Sequence, residues 1–153
     1  MDSTAEIAVT VDIDTLQSLL RGELSAVETY TQAIKKFDDS EVIGDLQDLR
    51  AEHDKAVRKL RDHVVRFGGT PTEDSGAWGT FAQAVTGVEK AMGPATALAA
   101  LRRGEEHGIG VYEEALDRET LPPECEQLIR AELLPACRTH VTQLDALIKR
   151  VDG

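Results

Sequence analysis

The sequence predicts an all-α protein, an antiparallel four-helix bundle with a long, partly helical crossover between the second and third helices. Hydrophobic residues make up 41% of the 153 residues but aromatic residues only 4%, so one core of aliphatic side chains is expected. Apolar residues also recur every three or four positions in four separate stretches. Finally, a frame of Arg-Gly-Glu with a tyrosine seven residues after the glutamate occurs twice, at Glu23 with Tyr30 and at Glu105 with Tyr112.

The first helix follows a short N-terminal segment. Residues 1–13 are predicted to form a flexible arm and residues 14–152 the bundle domain, with Asp14 or Thr15 as the N-cap of helix 1. Asp38 and Glu41 have the spacing of a capping box for helix 2. Because the connecting loop is short, helix 2 must fold back antiparallel on helix 1. The predicted core positions of helix 1 are Leu16, Leu20, Glu23, Val27, Tyr30, Ile34 and Phe37.

The second helix carries His53 on its apolar face and is predicted to end at the Gly68-Gly69 pair, with Pro71 beyond. Residues 68–93 then form the crossover, and a helical segment is expected within 77–92 because an unstructured loop of this length is unusual. Trp78 and Phe81 in this segment are expected to cover the bundle or to form a dimer contact.

Two more helices complete the bundle. Gly93-Pro94 is predicted to open helix 3, and Gly108 and Gly110 within it suggest close approach to a neighbouring backbone. Helix 4 is predicted to start near Pro123, and Pro135 inside it should kink the helix or remove one backbone hydrogen bond. His140 lies on its apolar face, as His53 does on helix 2.

Charge and composition exclude several classes of partner. With 17 basic and 28 acidic residues the net charge is −11, which disfavours binding to nucleic acid and to anionic membrane surfaces. No apolar run approaches the roughly 20 residues that span a bilayer. The N-terminus lacks the basic start and apolar stretch of a signal peptide. The two cysteines form no disulfide framework, so a cytoplasmic location is expected.

The polar core positions carry a resemblance to a known family. The run from Gly22 to Tyr30 resembles the first-helix ligand segment of rubrerythrins and bacterioferritins, which belong to the ferritin-like superfamily. A bacterial ferritin-like family of unknown function is more similar still, on matches that keep their order over four helices. These are Gly68-Gly69-Thr70-Pro71, Trp78, Arg103-Gly104-Glu105-Glu106, Tyr112-Glu113-Glu114-Ala115-Leu116, Leu121-Pro122 and His140. The resemblance implies a ferritin-like fold and, by analogy, iron or oxidative-stress handling.

The chain departs from the di-iron pattern at two positions. In di-iron carboxylate bundles the second and fourth helices each carry Glu-x-x-His, and those glutamates bridge two metals. Here the residues three before His53 and His140 are Arg50 and Cys137. A guanidinium at a bridging position repels divalent ions, so we expect at most one metal ion per chain.

Three interpretations of the polar core positions follow. The preferred one is structural: the glutamates and histidines form a buried hydrogen-bonded network, with Tyr30 and Tyr112 donating and Arg50 compensating charge. In the second, the same positions bind a single iron, zinc or manganese ion, and a variant that favours zinc adds Cys137. In the third, the bundle is an interaction module, a homodimer or larger homo-oligomer. The metal-ligand candidates are Glu23, His53, Glu105 and His140, with Cys137 added in the zinc variant.

The sequence identifies no small-molecule substrate and no catalytic residue, because phosphate-binding loops, nucleophile elbows and paired CxxC motifs are absent from it. Whether the protein catalyses a reaction is left open. Other polar residues near the core positions are expected at the surface or at the rim, because each lies off the apolar face of its helix. These are Glu28, Glu52, His63, Glu106 and His107.

Overall fold

The computed structural model describes residues 12–75 and 93–152, and within these ranges all regular structure is helical. This confirms the all-α prediction. The helices are α1 (Ile13–Ile34), α2 (Ser40–Arg66), α3 (Pro94–Asp117), α4 (Pro123–Leu128) and α5 (Leu134–Asp152), with a π-helical segment (Ile129–Leu133) joining α4 to α5. The continuous rod formed by α4, the π segment and α5 is the fourth helix of the bundle.

The N-caps of α1 and α2 differ from the predicted residues. Asp12 caps α1, because its carboxylate accepts the Thr15 backbone N–H at 3.0 Å. Asp14 and Thr15, the predicted caps, therefore lie inside the first turn. Asp39, and not Asp38, caps α2 by accepting the backbone N–H of Glu41 at 2.9 Å. In both cases a neighbouring aspartate has the geometry that satisfies the free N–H groups of the first turn.

The end of α2 confirms the predicted glycine terminator. Gly68 has φ +93°, a left-handed conformation that glycine adopts at little cost. The Gly69 N–H donates to the Val64 carbonyl at 2.8 Å, and the Gly68 N–H donates to the Val65 carbonyl at 3.1 Å. These two bonds form a Schellman motif, which closes the helix. The helical segment predicted within 77–92, including Trp78 and Phe81, lies outside the described residues, so self-association through it stays a prediction.

The third and fourth helices begin at the predicted prolines, Pro94 and Pro123, each at the first helical position. Pro135 lacks the N–H of a regular turn, and the disturbance takes the form of the π segment just before it, where the Leu134 N–H reaches the Ile129 carbonyl five residues back. The predicted close approach at the two glycines of α3 is not found among the described residues. A Cβ at Gly108 would meet only the Cys137 sulfur at 3.9 Å, and at Gly110 no described atom within 4 Å.

The apolar core consists of two clusters of buried side chains. The Leu60 cluster contains side chains from the first half of α1, the second halves of α2 and α3, and the fourth helix from α4 to the start of α5. The Leu98 cluster contains side chains from the opposite ends of the same four helices. Each helix has a buried charged or imidazole side chain between the two clusters: Glu23, His53, Glu105 and His140, and α1 also buries Ser25 and Thr29 there.

The four helices associate as two hairpins. α1 packs mainly against α2 and α3 mainly against α5, and α1 also contacts α3. The loops inside the hairpins, residues 35–39 and 118–122, are short, so each pair runs antiparallel. Among the described residues, no helix combines the length and the apolar character needed to cross a lipid bilayer.

Candidate functional site

Four polar side chains meet in the middle of the bundle, one from each long helix. Glu23 of α1, His53 of α2, Glu105 of α3 and His140 of α5 are all buried, with relative exposures of 2 to 5%. We call these four residues the core layer. The structure therefore brings together the four residues singled out in the sequence as metal-ligand candidates, in the gap between the two apolar clusters.

His53 connects the two hairpins. Its Nδ1 lies 2.5 Å from Glu23 Oε1, and its Nε2 lies 2.7 Å from Glu105 Oε2. Glu23 belongs to the same hairpin as His53, and Glu105 belongs to the other. Both ring nitrogens of this imidazole therefore face buried carboxylates.

His140 has a different pair of partners. Its Nδ1 lies 3.3 Å from Glu105, within the core layer. Its Nε2 lies 2.6 Å from Oε1 of Glu52, a residue of α2 whose side chain is 52% exposed. The two imidazole rings contact each other edge-on, with centroids 5.0 Å apart. Glu52 thus extends the core layer to the protein surface.

The two repeated tyrosines complete the layer by donating across the bundle. Tyr30 Oη donates to Glu105 Oε2 at 2.5 Å, and Tyr112 Oη donates to Glu23 Oε2. Each tyrosine thus donates to the glutamate of the other repeat. Burial, followed by the charge of the nearby glutamates, raises the pKa of both phenols well above 10.0, so both remain protonated donors.

The geometry fixes the protonation of the histidines in the metal-free protein. A nitrogen that faces a carboxylate at hydrogen-bond distance must carry a proton, and each ring has both of its nitrogens in this position. Burial lowers the pKa of His53, but the charges of Glu105 and Glu23 outweigh burial and raise it well above 6.5. Burial also lowers the pKa of His140, but the hydrogen bond and charge of Glu105 and the hydrogen bond of Glu52 together outweigh burial and raise this pKa.

The pKa of Glu105 is shifted in the opposite direction, downwards. Burial alone would raise its pKa, but the charge of His53 and the hydrogen bonds from His140 and His53 outweigh burial and lower the pKa well below 4.5. Two imidazolium ions therefore balance the carboxylates of Glu23 and Glu105. Within the described residues no buried side-chain nitrogen or oxygen lacks a hydrogen-bond partner.

Arg50 does not supply this compensation, contrary to the sequence-based expectation. Its guanidinium donates to the Thr31 hydroxyl at 3.5 Å, and no hydrogen bond or ion pair described for these residues joins it to the core layer. The physical reason is that the two protonated histidines already neutralise the two buried carboxylates. A third cation in the layer would leave a positive charge buried without a partner.

Cys137 is buried beside the layer, close enough to Glu23 and Glu105 for their charges to act on its thiol. Burial, followed by the charges of Glu23 and Glu105, raises the pKa of the thiol far above its usual range, so the sulfur is protonated in the metal-free protein. Cys137 also lines a cavity of about 60 Å³ between α1 and α3, together with small residues such as Gly22, Ala26 and Gly104. This volume is large enough for a few water molecules.

Three residues of the layer form a group that could hold a metal ion. One ligand atom each from His53, Glu105 and His140 lie within 4.8 Å of one another, and all three residues are buried. Glu23 and Cys137, also predicted as ligands, are not in this set, although Glu23 contacts it through His53 and Cys137 lies near Glu105. The three donors are two imidazole nitrogens and one carboxylate oxygen, a combination suited to zinc, iron or manganese.

Glu52 contacts the core layer, which the sequence analysis did not predict. Its predicted surface position is correct, but its side chain turns back to contact His140. No spacing rule reports this contact, because Glu52 precedes His53 on α2 whereas His140 is on α5. The other acidic residues expected at the surface behave as predicted: Glu28 accepts from Ser75, and Glu106 pairs with Arg102.

The two histidines placed off the apolar face stay apart from the layer in the contacts that are described. His63 is half-buried, stacks on Phe67 and lies 3.5 Å from the Cys125 sulfur. His107 is exposed on α3. Neither belongs to the group of three donors.

Most of the chain matches a known family model. A family model described as a domain of unknown function (DUF2383) matches residues 12–118, which include Glu23, His53 and Glu105 but end before His140. No curated protein and no solved structure matches the chain.

Proposed function

The chain belongs to the DUF2383 family, whose description assigns no function, and from the core geometry we propose that it binds one divalent metal ion in the middle of the bundle. The observation that carries the proposal is the approach of one donor atom each from His53, Glu105 and His140 to within 4.8 Å of one another. Three protein ligands leave at least one coordination position open. The cavity between α1 and α3 offers space for water or a small ligand there.

Metal binding at this site would exchange protons for the ion. Nε2 of His53 and Nδ1 of His140 each carry a proton towards Glu105 in the metal-free protein, and an ion that takes both nitrogens displaces both protons. The affinity should therefore increase with pH. This exchange also explains how a site without an ion remains folded, since the protons neutralise the buried carboxylates in place of the metal.

We propose one ion and not two, within a bundle of the ferritin-like type. Two antiparallel hairpins with one long crossover, and a glutamate and a histidine from each half, support the ferritin-like assignment. The positions that would supply bridging carboxylates are Arg50, which is turned towards Thr31, and Cys137, a protonated thiol. Neither provides the negative charge that a second divalent ion needs.

A second candidate role is structural, and it is supported by the complete pairing of the layer. The contacts of Glu105 with Tyr30 and His53, and of Glu23 with Tyr112, join the two hairpins without an ion. A layer of this kind fixes the register of the helices, because a shifted helix would leave a buried charge unpaired.

Elemental analysis separates these two roles. Protein expressed in medium supplemented with iron, zinc and manganese, and purified without chelator, should retain about one ion per chain. Glu105→Gln and His140→Gln should abolish retention, whereas Glu106→Gln, an exposed neighbour of Glu105, should keep it. Calorimetric titration in two buffers of different ionisation enthalpy should show about two protons released per ion.

Three results would contradict the proposed one-ion site. Two ions per chain would contradict the one-ion site, and retention by Glu105→Gln would place the ion elsewhere. If no ion binds in any medium, the metal proposal is wrong and the structural role stands.

A further inference from the structure

Glu52 lies at the surface end of the core layer and contacts one of its buried histidines. Its Oε1 is 2.6 Å from Nε2 of His140, whose side chain is 2% exposed. The carboxylates of Glu23 and Glu105, which also contact the layer's histidines, are buried. Among the described carboxylates in contact with the layer, Glu52 is therefore the one that solvent reaches.

We infer that Glu52 is a positioning residue for the metal ion, an inference that rests on the proposed function. An imidazole has two nitrogens, and the partner of one determines which nitrogen is free for an ion. Glu52 accepts a hydrogen bond from the Nε2–H group of His140. The other nitrogen, Nδ1, therefore faces Glu105 and the centre of the layer. A carboxylate that holds the outer N–H of a ligating histidine fixes its orientation and increases its basicity.

Glu52 orients the imidazole ring of His140 and not that of His53. Both nitrogens of His53 contact glutamates inside the core layer, so the layer itself orients that ring. The sequence repeat also provides no equivalent of Glu52 in the second half of the chain. The residue before His53 is Glu52, but the residue before His140 is Thr139, which has no carboxylate.

The groove around Glu52 supplies a matched control. The groove lies between α2 and α5, and Asp48, Gln143 and Arg150 also line it. Asp48 is one turn before Glu52 on the same helix and is exposed, but among the described contacts it makes none with either histidine of the layer. Asp48→Asn therefore removes a negative charge from the same groove without removing the hydrogen bond to His140.

Zinc affinity tests the inference. With a chromophoric chelator as competitor, Asp48→Asn should bind zinc within about twofold of wild type. Glu52→Ala should bind roughly 10- to 100-fold more weakly, the range found when such supporting carboxylates are removed. Glu52→Gln should lie between them, because its amide oxygen still accepts the Nε2 proton.

Nuclear magnetic resonance of the ¹⁵N-histidine-labelled, zinc-loaded protein provides a readout that a merely structural role would not change. Wild type should show a slowly exchanging Nε2–H resonance for His140, and Glu52→Ala should lose this protection. Equal zinc affinity in Glu52→Ala and Asp48→Asn would overturn the inference while leaving the proposed function intact. A wild-type chain that binds no zinc, iron or manganese would overturn both.

Discussion

At the scale of the single residue, the charge balance of the core layer makes the metal-free protein sensitive to pH. The pKa of His53 is raised, so its contribution to stability is complete below the unfolded value of 6.5 and is lost as the pH rises through the raised folded value. The pKa of Glu105 is lowered, so its contribution is complete above 4.5 and is lost as the pH falls through the lowered folded value. Between these limits both contributions are present.

We therefore expect the layer's contribution to the free energy of unfolding, measured by urea denaturation with chelator present, to be greatest between pH 4.5 and 6.5. The quantity to compare is the difference in the free energy of unfolding between wild type and His53→Gln, because this difference removes the contributions of the other titrating groups. The difference should decrease as the pH is raised from 6.5 towards 9. A difference independent of pH over that range would show that His53 is neutral in the folded protein.

The buried phenols give a second prediction at this scale. Tyr30→Phe removes the hydroxyl that donates to Glu105, and Tyr112→Phe removes the one that donates to Glu23. Each leaves a buried carboxylate with one donor fewer, so each should lower the free energy of unfolding by about 1.5 to 3 kcal/mol. Thr142→Val, at an exposed hydroxyl bonded within its own helix, should change it by no more than about 0.5 kcal/mol. If the two phenylalanine variants match this control, the tyrosines are not donors to the layer.

At the scale of the helix, two glycines of one hairpin should respond to alanine in opposite directions. A Cβ at Gly69 would lie 2.9 Å from Cγ1 of Val64, which is fully buried, and 3.0 Å from Cγ2 of Ile13. At Gly44, within α2, it would meet no described atom within 4 Å. Gly69→Ala should therefore destabilise the protein by about 1 to 3 kcal/mol, and Gly44→Ala should stabilise it by roughly 0.5 to 1 kcal/mol. Thermal denaturation of the two variants beside wild type checks both signs, and equal shifts would contradict the packing at Gly69.

The helices themselves were largely predictable because their signals are local. The prolines at 94 and 123 and the glycines at 68 and 69 mark helix ends through backbone constraints that act within a few residues. The choice between adjacent aspartates as N-cap was not predictable, since either carboxylate fits the pattern and tertiary packing selects one. At Pro135 the sequence predicts only a disturbance of the helix and not a π segment, because a kink and a wider turn both accommodate the missing N–H.

The site was predictable only in part, for a reason that appears at the scale of the whole molecule. Periodicity placed Glu23, His53, Glu105 and His140 on apolar helix faces, and burial of those faces forces the four together. Which carboxylate meets which donor depends on how the hairpins cross. Only the three-dimensional structure could therefore show that each tyrosine donates to the glutamate of the other repeat and that Glu52 contacts His140.

Metal binding should stabilise the whole bundle, because His53 and His140 come from different hairpins and share Glu105. An ion held by all three residues links those hairpins and favours the folded state. At free zinc about a hundredfold above the dissociation constant, the free energy of unfolding should increase by about 2.7 kcal/mol.

The size of this increase should depend on pH. Because protons occupy the same nitrogens as the ion, the same free zinc concentration should stabilise the protein less at pH 5.5 than at pH 7.5. Urea denaturation in zinc buffers at the two values measures the difference. His140→Gln should lose the zinc increment at both, and Asp48→Asn should keep it. An increment equal at both pH values would mean that zinc does not displace the layer's protons, and would locate its binding site outside the core layer.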